Sequence, residues 1–278
     1  MKTMNKIAAV AFGTLALCAT ANAGKGGSNA AIKDAVASGS RDAIIAEVER
    51  AEGLMCEECI QTVTNLTEDS RYEIREVAAW WFGKRPGLAH MMAEQMESDL
   101  TNNADSIHVR NAADFLGTIK EYKALPVLRA TMLRTNLSTE AKLALVRAAG
   151  VMAHKGGNPI LVTGMVDADA TVRAASIVAY RDVLDQTDMA PIEARLADTD
   201  ANVRAQAATV VGAKRDLAAR TTLETLVTTD ADPFVRRNAA YALGKIGSAS
   251  SHDALLAASA DKSPIVKNVA KAALASLR

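Results

Sequence analysis

Apolar and polar positions repeat along most of this chain with a period near 31 residues. Each copy has an acidic turn, an apolar residue followed by a basic one, a run of small residues and a closing Leu-Gly, as in DADPFVRRNAAYALGKIG at residues 230–247. Within that copy Val235, Ala239, Ala242 and Leu243 share one face of a helix. A period this regular predicts stacked helical units that bury their apolar faces on their neighbours.

The apolar–basic pair marks each copy, and successive pairs lie 31 to 35 residues apart. A second helix is predicted after the first in each unit, and no strand pattern occurs, so we predict an all-α fold. The long step from Ile74 to Val109 predicts an insertion, for which residues 85–87 are the natural place. The seven pairs begin at Ile74, Val109, Ala141, Val172, Val203, Val235 and Val266.

The N-terminus has the features of a secretory signal peptide. Two lysines precede an apolar stretch at residues 7–20, and residues 21–23 form an A-x-A cleavage site. We expect cleavage after Ala23 and a periplasmic or secreted protein. A lipid anchor at Cys18 is the alternative, although Leu17 stands where such an anchor site requires a small residue. No other segment is apolar for long enough to span a membrane.

The mature chain divides into three predicted parts. Residues 24–29, GKGGSN, form a flexible leader. Residues 30–68 form an atypical N-terminal helical cap, which repeat arrays need in order to cover an exposed end. Residues 69–278 form the repeat array, which closes with a lone cap helix from Ile265 to Leu277.

The amino-acid composition argues against nucleic-acid binding. Lys and Arg number 32 and Asp and Glu number 32, whereas a dedicated nucleic-acid binder would show a basic surplus. Aromatic residues make up only 4%, so the core must be built from Ala, Val and Leu. We therefore expect a protein partner and no nucleic acid.

The phrase D-x-x-x-V-R-x-x-A-A-x-x-L-G resembles the HEAT-like repeats, in the short form named for phycobilisome bilin lyases. The resemblance covers residues 69–278 and implies a right-handed α-solenoid of about seven helical hairpins. It implies a binding scaffold more than any one chemistry, because a fold does not carry a reaction with it.

The resemblance also implies a structural ladder between units, in which arginines pair with the acidic turns of their neighbours. A stripe that reads phosphate or nucleic acid is the rival interpretation. The arginines are Arg75, Arg110, Arg173, Arg204 and Arg236, and the aspartates are Asp69, Asp105, Asp167, Asp198 and Asp230.

Some HEAT-like proteins are enzymes, such as the deoxyhypusine hydroxylases, which hold di-iron with His-Glu pairs. None of the four histidines here is followed by Glu, so that activity is not carried over. No phosphate-binding loop, dinucleotide fingerprint or nucleophile motif occurs. We predict no enzyme activity and no cofactor.

Cys56 and Cys59 form a C-x-x-C pair that remains after signal removal. In an oxidising compartment the simplest prediction is a local disulfide, because positions i and i+3 of a helical turn lie close together. Redox activity and metal binding remain open alternatives. Glu57 and Glu58 oppose the lowered thiol pKa that a redox-active pair needs.

A second candidate is the segment from His90 to Met96. Met92 and Met96 share a helix face, and soft ligands of this kind select Cu(I). Methionine at helical spacing is more typical of a core. The metal site His90, Met92 and Met96 is therefore the alternative to ordinary packing.

Aromatic residues concentrate at Trp80-Trp81-Phe82. Three consecutive residues cannot all face the core of a helix, so one ring is expected at the surface. We predict a partner-binding site at Tyr72, Trp80, Trp81 and Arg85, since large aromatic side chains dominate interfaces.

These observations favour an exported, non-enzymatic scaffold or assembly factor that binds another protein on the concave, second-helix face of its solenoid. The alternative is a periplasmic metal-binding or thiol-redox protein centred on the Cys56–Cys59 pair and the His90–Met96 helix.

Overall fold

Acidic side chains set where the repeat helices begin. Asp169, Asp200 and Asp232 each accept a hydrogen bond from a backbone N–H of the helix that follows, at 2.7 to 3.1 Å. This bond satisfies one of the N–H groups that have no partner inside the helix. Asp232 is the N-cap of the helix Pro233–Ile246. Gly247 ends the same helix in the left-handed conformation, with a φ of 74°.

The computed structural model describes residues 27–54, 56–103, 105–184 and 186–277. The predicted signal peptide, its cleavage site and Cys18 lie outside the described residues, as do residues 24–26 of the leader. The described residues contain helices and turns but no strand, which confirms the all-α prediction for this part of the chain. No helix within these ranges combines the length and the apolarity that crossing a bilayer requires.

The described residues contain sixteen α-helices, which stack in two layers. Within each layer the helices follow one another along the array in chain order. The first helix of each hairpin lies in the A layer and the second in the B layer. The A layer contains α2 (Arg41–Arg50), α4 (Tyr72–Gly83), α6 (Ser106–Thr118), α8 (Thr139–Met152), α10 (Ala170–Arg181), α12 (Ala201–Ala213), α14 (Pro233–Ile246) and α16 (Pro264–Leu274). The B layer contains α1 (Asn29–Ser38), α3 (Glu57–Leu66), α5 (Pro86–Asn102), α7 (Leu125–Met132), α9 (Asn158–Gly164), α11 (Ala190–Glu193), α13 (Arg220–Thr229) and α15 (His252–Ala258).

One apolar core runs the length of the two layers, and alanine is its most frequent residue. Helices α2 and α3 stack in the same way as the later hairpins, so the layers extend into the region predicted as an N-terminal cap. The division of the chain into a cap and an array stays a prediction.

The long repeat step is absorbed in helix α5. This helix has 17 residues, whereas the other helices of the B layer have 4 to 10. The extra residues therefore lengthen a helix and do not form an inserted turn at residues 85–87. Pro86 occupies the first helical position, where its missing N–H costs nothing.

Three arginines of the A layer form a ladder with the acidic turns of the following unit. Each donates two hydrogen bonds to one carboxylate, at 2.7 to 3.0 Å. Each also donates to two backbone carbonyls of its own turn, at 2.8 to 3.1 Å. One guanidinium thus ties two successive turns together. The pairs are Arg173 with Asp198, Arg204 with Asp230, and Arg236 with Asp261.

Two further turns depart from this arrangement. Asp167 accepts a single bond from Lys142 Nζ at 2.7 Å. Asp69 pairs with Arg71 of its own turn, at 2.8 and 2.9 Å. The bond from Arg71 lowers the pKa of Asp69 below its ordinary value.

Asp105 and Arg110 do not belong to the ladder, which corrects the prediction for this unit. Asp105 is exposed and caps helix α6 by accepting from Ile107 N–H at 2.9 Å. Arg110 donates to Asn111 Oδ1 and forms no ion pair with any described residue. The reason is a shift of one residue, because the cap lies four residues before Val109 but three before the equivalent valines elsewhere.

Arg75 is therefore paired differently. The ladder position before helix α6 carries no acid, and Arg75 donates to Asp114 Oδ2 from Nε and Nη2, at 3.1 and 2.6 Å. Arg147 donates to the other oxygen of Asp114, at 2.9 and 2.7 Å. The Asp114 side chain is fully buried, so these two guanidinium groups provide the compensation that a buried carboxylate needs.

Candidate functional site

The C-x-x-C pair opens helix α3. The sulfur atoms of Cys56 and Cys59 are bonded, at 2.06 Å. Cys56 is the N-cap residue, and its Sγ accepts a hydrogen bond from Cys59 N–H at 3.2 Å. Cys59 has no exposed surface, whereas Cys56 is part-exposed. The two sulfurs of one bond therefore differ in their access to solvent.

Trp81 and Arg85 hold the segment that leads into this helix. Trp81 is fully buried and donates from Nε1 to the Ala51 carbonyl at 3.1 Å. The Arg85 guanidinium lies 3.5 Å from the centre of the Trp81 ring and donates to the carbonyls of Ala51, Glu52 and Leu54, each at 2.9 Å. Burial lowers the pKa of Arg85. Both side chains stabilise this segment, and their predicted role in contacting a partner stays a prediction.

The other two predicted contact residues lie elsewhere on helix α4. Tyr72 is half-buried under the Arg147 guanidinium, 4.2 Å from the ring centre. Trp80 is half-buried, and Lys84 Nζ lies 5.1 Å from its ring centre. Of the four residues predicted as one partner site, Trp81 and Arg85 line a groove between helices α3 and α5, whereas Tyr72 and Trp80 do not.

A groove lies in the B layer between helices α3 and α5, whose sides do not pack closely together. Its volume is about 790 Å³, its lining is mostly apolar, and it is open to solvent. Its walls include Cys56 and Ile60 from helix α3, and Leu88 and Met91 from helix α5. Met91 is 65% exposed, so it adds a large apolar side chain to the solvent-exposed wall of the groove.

A second groove of about 560 Å³ lies on the other side of helix α3, towards helix α1. Its walls include Asn29, Leu54 and Glu58. Cys56 and Glu57 line both grooves, so the first turn of helix α3 forms a ridge between them. The part-exposed sulfur belongs to this ridge.

The segment from His90 to Met96 does not bring its predicted metal ligands together. Met96 is buried in the core and Met92 packs against it. The exposed His90 has its Nε2 atom 3.5 Å from Glu94 Oε1. Among the residues that the structure describes, no three His, Cys, Asp or Glu side chains lie close enough together to hold a metal ion. Met92 and Met96 therefore have the packing role that the sequence favoured, with the metal site as its alternative.

The sequence analysis placed Trp81 and Arg85, which line the groove, in a partner site, but it did not identify the groove itself, although one further signal for it was present. Ala93, Met96 and Leu100 form the buried face of helix α5. Met91 precedes Ala93 by two residues, which places it on the opposite side of the helix. A large apolar residue outside the buried stripe marks an exposed surface. No feature of the sequence indicated the gap between helices α3 and α5.

Comparisons with known proteins agree with this architecture. Residues 189–275 match a family model described as HEAT repeats. No curated protein matches the chain. The chain is similar to the X-ray structure of YibA from Escherichia coli, with 16% identity, a TM-score of 0.56, and coverage of 88% of this chain and 91% of that one.

Two further structures are similar. An engineered protein shares 19% identity with a TM-score of 0.52, covering 90% of this chain and 71% of its own. Human deoxyhypusine hydroxylase in complex with glycerol shares 18% identity with a TM-score of 0.39, and the similarity covers 89% of this chain and 96% of that one. At these identities the similarity concerns the fold alone. Residues 189–275 therefore match HEAT repeats, and the two-layer stack of the described residues has the fold of a HEAT-like repeat array.

Proposed function

We propose that this protein is an exported, non-enzymatic scaffold that binds an apolar segment of another protein in the groove between helices α3 and α5. The observation that carries the proposal is the groove itself, because it exposes apolar surface that the core does not use. Export is the expectation from the signal-peptide features of residues 1–23.

The shape of the surface favours a polypeptide over a small molecule. Small-molecule sites are typically concave and bury most of their ligand. Here two open grooves adjoin across one ridge at Cys56 and Glu57. A segment of a few residues can lie across the ridge and place an apolar side chain in the groove between helices α3 and α5. Solenoids provide extended surfaces of this kind.

The buried core ends beneath this surface. Trp81 closes the floor of the groove and is itself fully buried. Lys84 stands at the rim and pairs with Glu52 at 2.8 Å. The apolar walls from Ile60, Leu88 and Met91 are therefore the part of the surface that a partner would cover.

Met91→Asp tests the proposal, since Met91 is 65% exposed and its replacement should leave the fold intact. Leu133→Asp is the matched control, because Leu133 is 63% exposed and follows helix α7, outside the groove. Partners would be identified by cross-linking in the native compartment and then measured with the purified pair.

We expect Met91→Asp to weaken the purified complex by at least about tenfold, as for loss of an apolar contact at the centre of an interface. Leu133→Asp should leave the dissociation constant unchanged. Equal effects of the two substitutions would contradict the assignment of the groove. Self-association that Met91→Asp abolishes would show a second copy of the chain as the occupant and would also contradict it.

A further inference from the structure

The disulfide contributes little as a structural cross-link. A cross-link stabilises mainly by restricting the unfolded chain, and its effect grows with the length of the loop that it closes. Cys56 and Cys59 are separated by three positions and already share a helical turn. The segment before them is held by Trp81 and Arg85 and not by the sulfurs. A contribution to stability therefore does not explain why the chain has the Cys56–Cys59 disulfide.

The two sulfurs are arranged unequally. Cys56 is part-exposed on the ridge and lines both grooves, whereas Cys59 is fully buried and lines neither. A thiol from another molecule can therefore reach Cys56 alone. After reduction the Sγ of Cys56 would keep the N–H of Cys59 at the helix N-terminus, an arrangement that favours a thiolate. Glu57 and Glu58 oppose this effect, but both are exposed, so solvent and salt screen their charges.

We propose that the Cys56–Cys59 disulfide undergoes thiol–disulfide exchange with a cysteine of a polypeptide lying across the two grooves, and that Cys56 is the sulfur that is attacked. This inference goes beyond the proposed function and rests on it only for the groove. The ridge beside the apolar groove places the reactive bond next to a bound peptide and not at an isolated surface.

The exchange balances without any further oxidant. A thiolate of the partner attacks Sγ of Cys56 and forms a mixed disulfide, while the Cys56–Cys59 bond breaks. Sγ of Cys59 takes the electron pair of that bond and a proton from solvent. A second thiolate of the same partner then attacks the partner's sulfur in the mixed disulfide, and Cys56 leaves as a thiolate. The partner dithiol loses two electrons to become a disulfide, and the C-x-x-C pair gains them.

The direct test uses the full chain in a Cys18→Ser background, so that only the two cysteines of the pair remain. Cys59→Ser leaves Cys56 as the single thiol, and Cys56→Ser leaves Cys59. The probe is a short apolar peptide whose one cysteine carries a thionitrobenzoate leaving group. We expect Cys56 to displace the leaving group at least about tenfold faster than Cys59, because Cys59 is buried. Equal rates, or a faster Cys59, would overturn the proposal.

Two further measurements keep the test decisive if a serine variant unfolds. The oxidised protein with intact Cys56 and Cys59 should gain two hydrogens by mass when mixed with an apolar peptide dithiol, and no gain would overturn the exchange. Met91→Asp should slow the reaction with the peptide while leaving that with a small thiol reagent unchanged. If Met91→Asp and the unsubstituted protein reacted with the peptide at the same rate, the groove would have no part in peptide binding or in the exchange. Intact peptide binding without exchange would remove the exchange alone.

Discussion

Gly212 of helix α12 lies against Ala242 of helix α14 so closely that a Cβ built on the glycine would be 2.5 Å from the Ala242 Cα. The contact is between two backbones, and neither can move aside as a flexible side chain would. This close approach sets the distance between successive helices of the A layer. Gly117 and Ala148 repeat the relationship between helices α6 and α8, at 2.6 Å.

Gly212→Ala should therefore destabilise the protein even though alanine favours helices. Overpacking of this kind typically costs about 1–3 kcal/mol, which exceeds the gain of roughly 1 kcal/mol in helix propensity. Gly83→Ala is the matched control, because its Cβ would meet the Ile119 side chain at an ordinary 3.5 Å. Thermal unfolding should show a lower Tm for Gly212→Ala and an equal or higher Tm for Gly83→Ala. A higher Tm in both variants would contradict the close-packing argument.

The ladder predicts that adjacent arginines differ widely in importance. Arg236→Ala removes two bonds to Asp261 and two to backbone carbonyls, and leaves a largely buried carboxylate without its partner. Breaking such a pair costs about 3 kcal/mol. Arg237→Ala removes only a bond to the neighbouring Asn238 from an exposed side chain and should cost less than about 0.5 kcal/mol. Urea unfolding of the two variants gives the comparison, and similar midpoints would show that the ladder is not a major source of stability.

The repeat period predicted the two helical layers, but it did not predict where every helix begins relative to its apolar–basic pair. The Val-Arg pair at Val109 and Arg110 matches the other copies in sequence, yet helix α6 begins one residue out of phase with it. Local pattern cannot detect this shift, because Asp105 resembles both a ladder aspartate and an N-cap. Asp114 could have been noticed, since a carboxylate within an apolar run requires a buried partner.

The candidate site was predictable only in part. The chemistry of Cys56 and Cys59 follows from their spacing, and the C-x-x-C pair was identified from the sequence alone. The groove depends on how far apart helices α3 and α5 lie, which is a property of the stack and not of either helix. Trp81 was assigned to a partner site because three aromatic residues occur in succession, but the core of this unit accepts both Trp81 and Phe82.

The ladder carboxylates predict a loss of stability in acid. Burial alone would raise the pKa of Asp198 and of Asp230, but the arginine and backbone hydrogen bonds outweigh it, and both values lie below the ordinary 3.8. The bond from Arg236 likewise lowers the pKa of Asp261. Between the lowered value and 3.8 the unfolded chain binds more protons than the folded one, so the free energy of unfolding falls as the pH falls.

Asp261→Asn isolates this effect. The unmodified protein should have a nearly constant free energy of unfolding above about pH 5 and a decline through the range below 3.8. The variant should be less stable at pH 7, because it loses a charge-assisted pair, and its decline with falling pH should be shallower. Urea unfolding at a series of pH values measures both slopes. Parallel slopes would show that Asp261 does not contribute to the acid sensitivity.

Glu193 predicts the opposite dependence on pH. Burial, followed by the nearby charge of Asp216, raises the pKa of Glu193 above its ordinary 4.5. Above 4.5 the folded protein holds this proton more tightly than the unfolded chain, so the contribution is favourable at low pH and is lost as the pH rises through the raised value. Glu193→Gln should therefore raise the Tm at pH 7 and leave it unchanged at pH 4. Asp253→Asn removes the same charge from a fully exposed side chain and should change neither Tm. A Glu193→Gln shift of equal size at both pH values would show that packing, and not protonation, causes it.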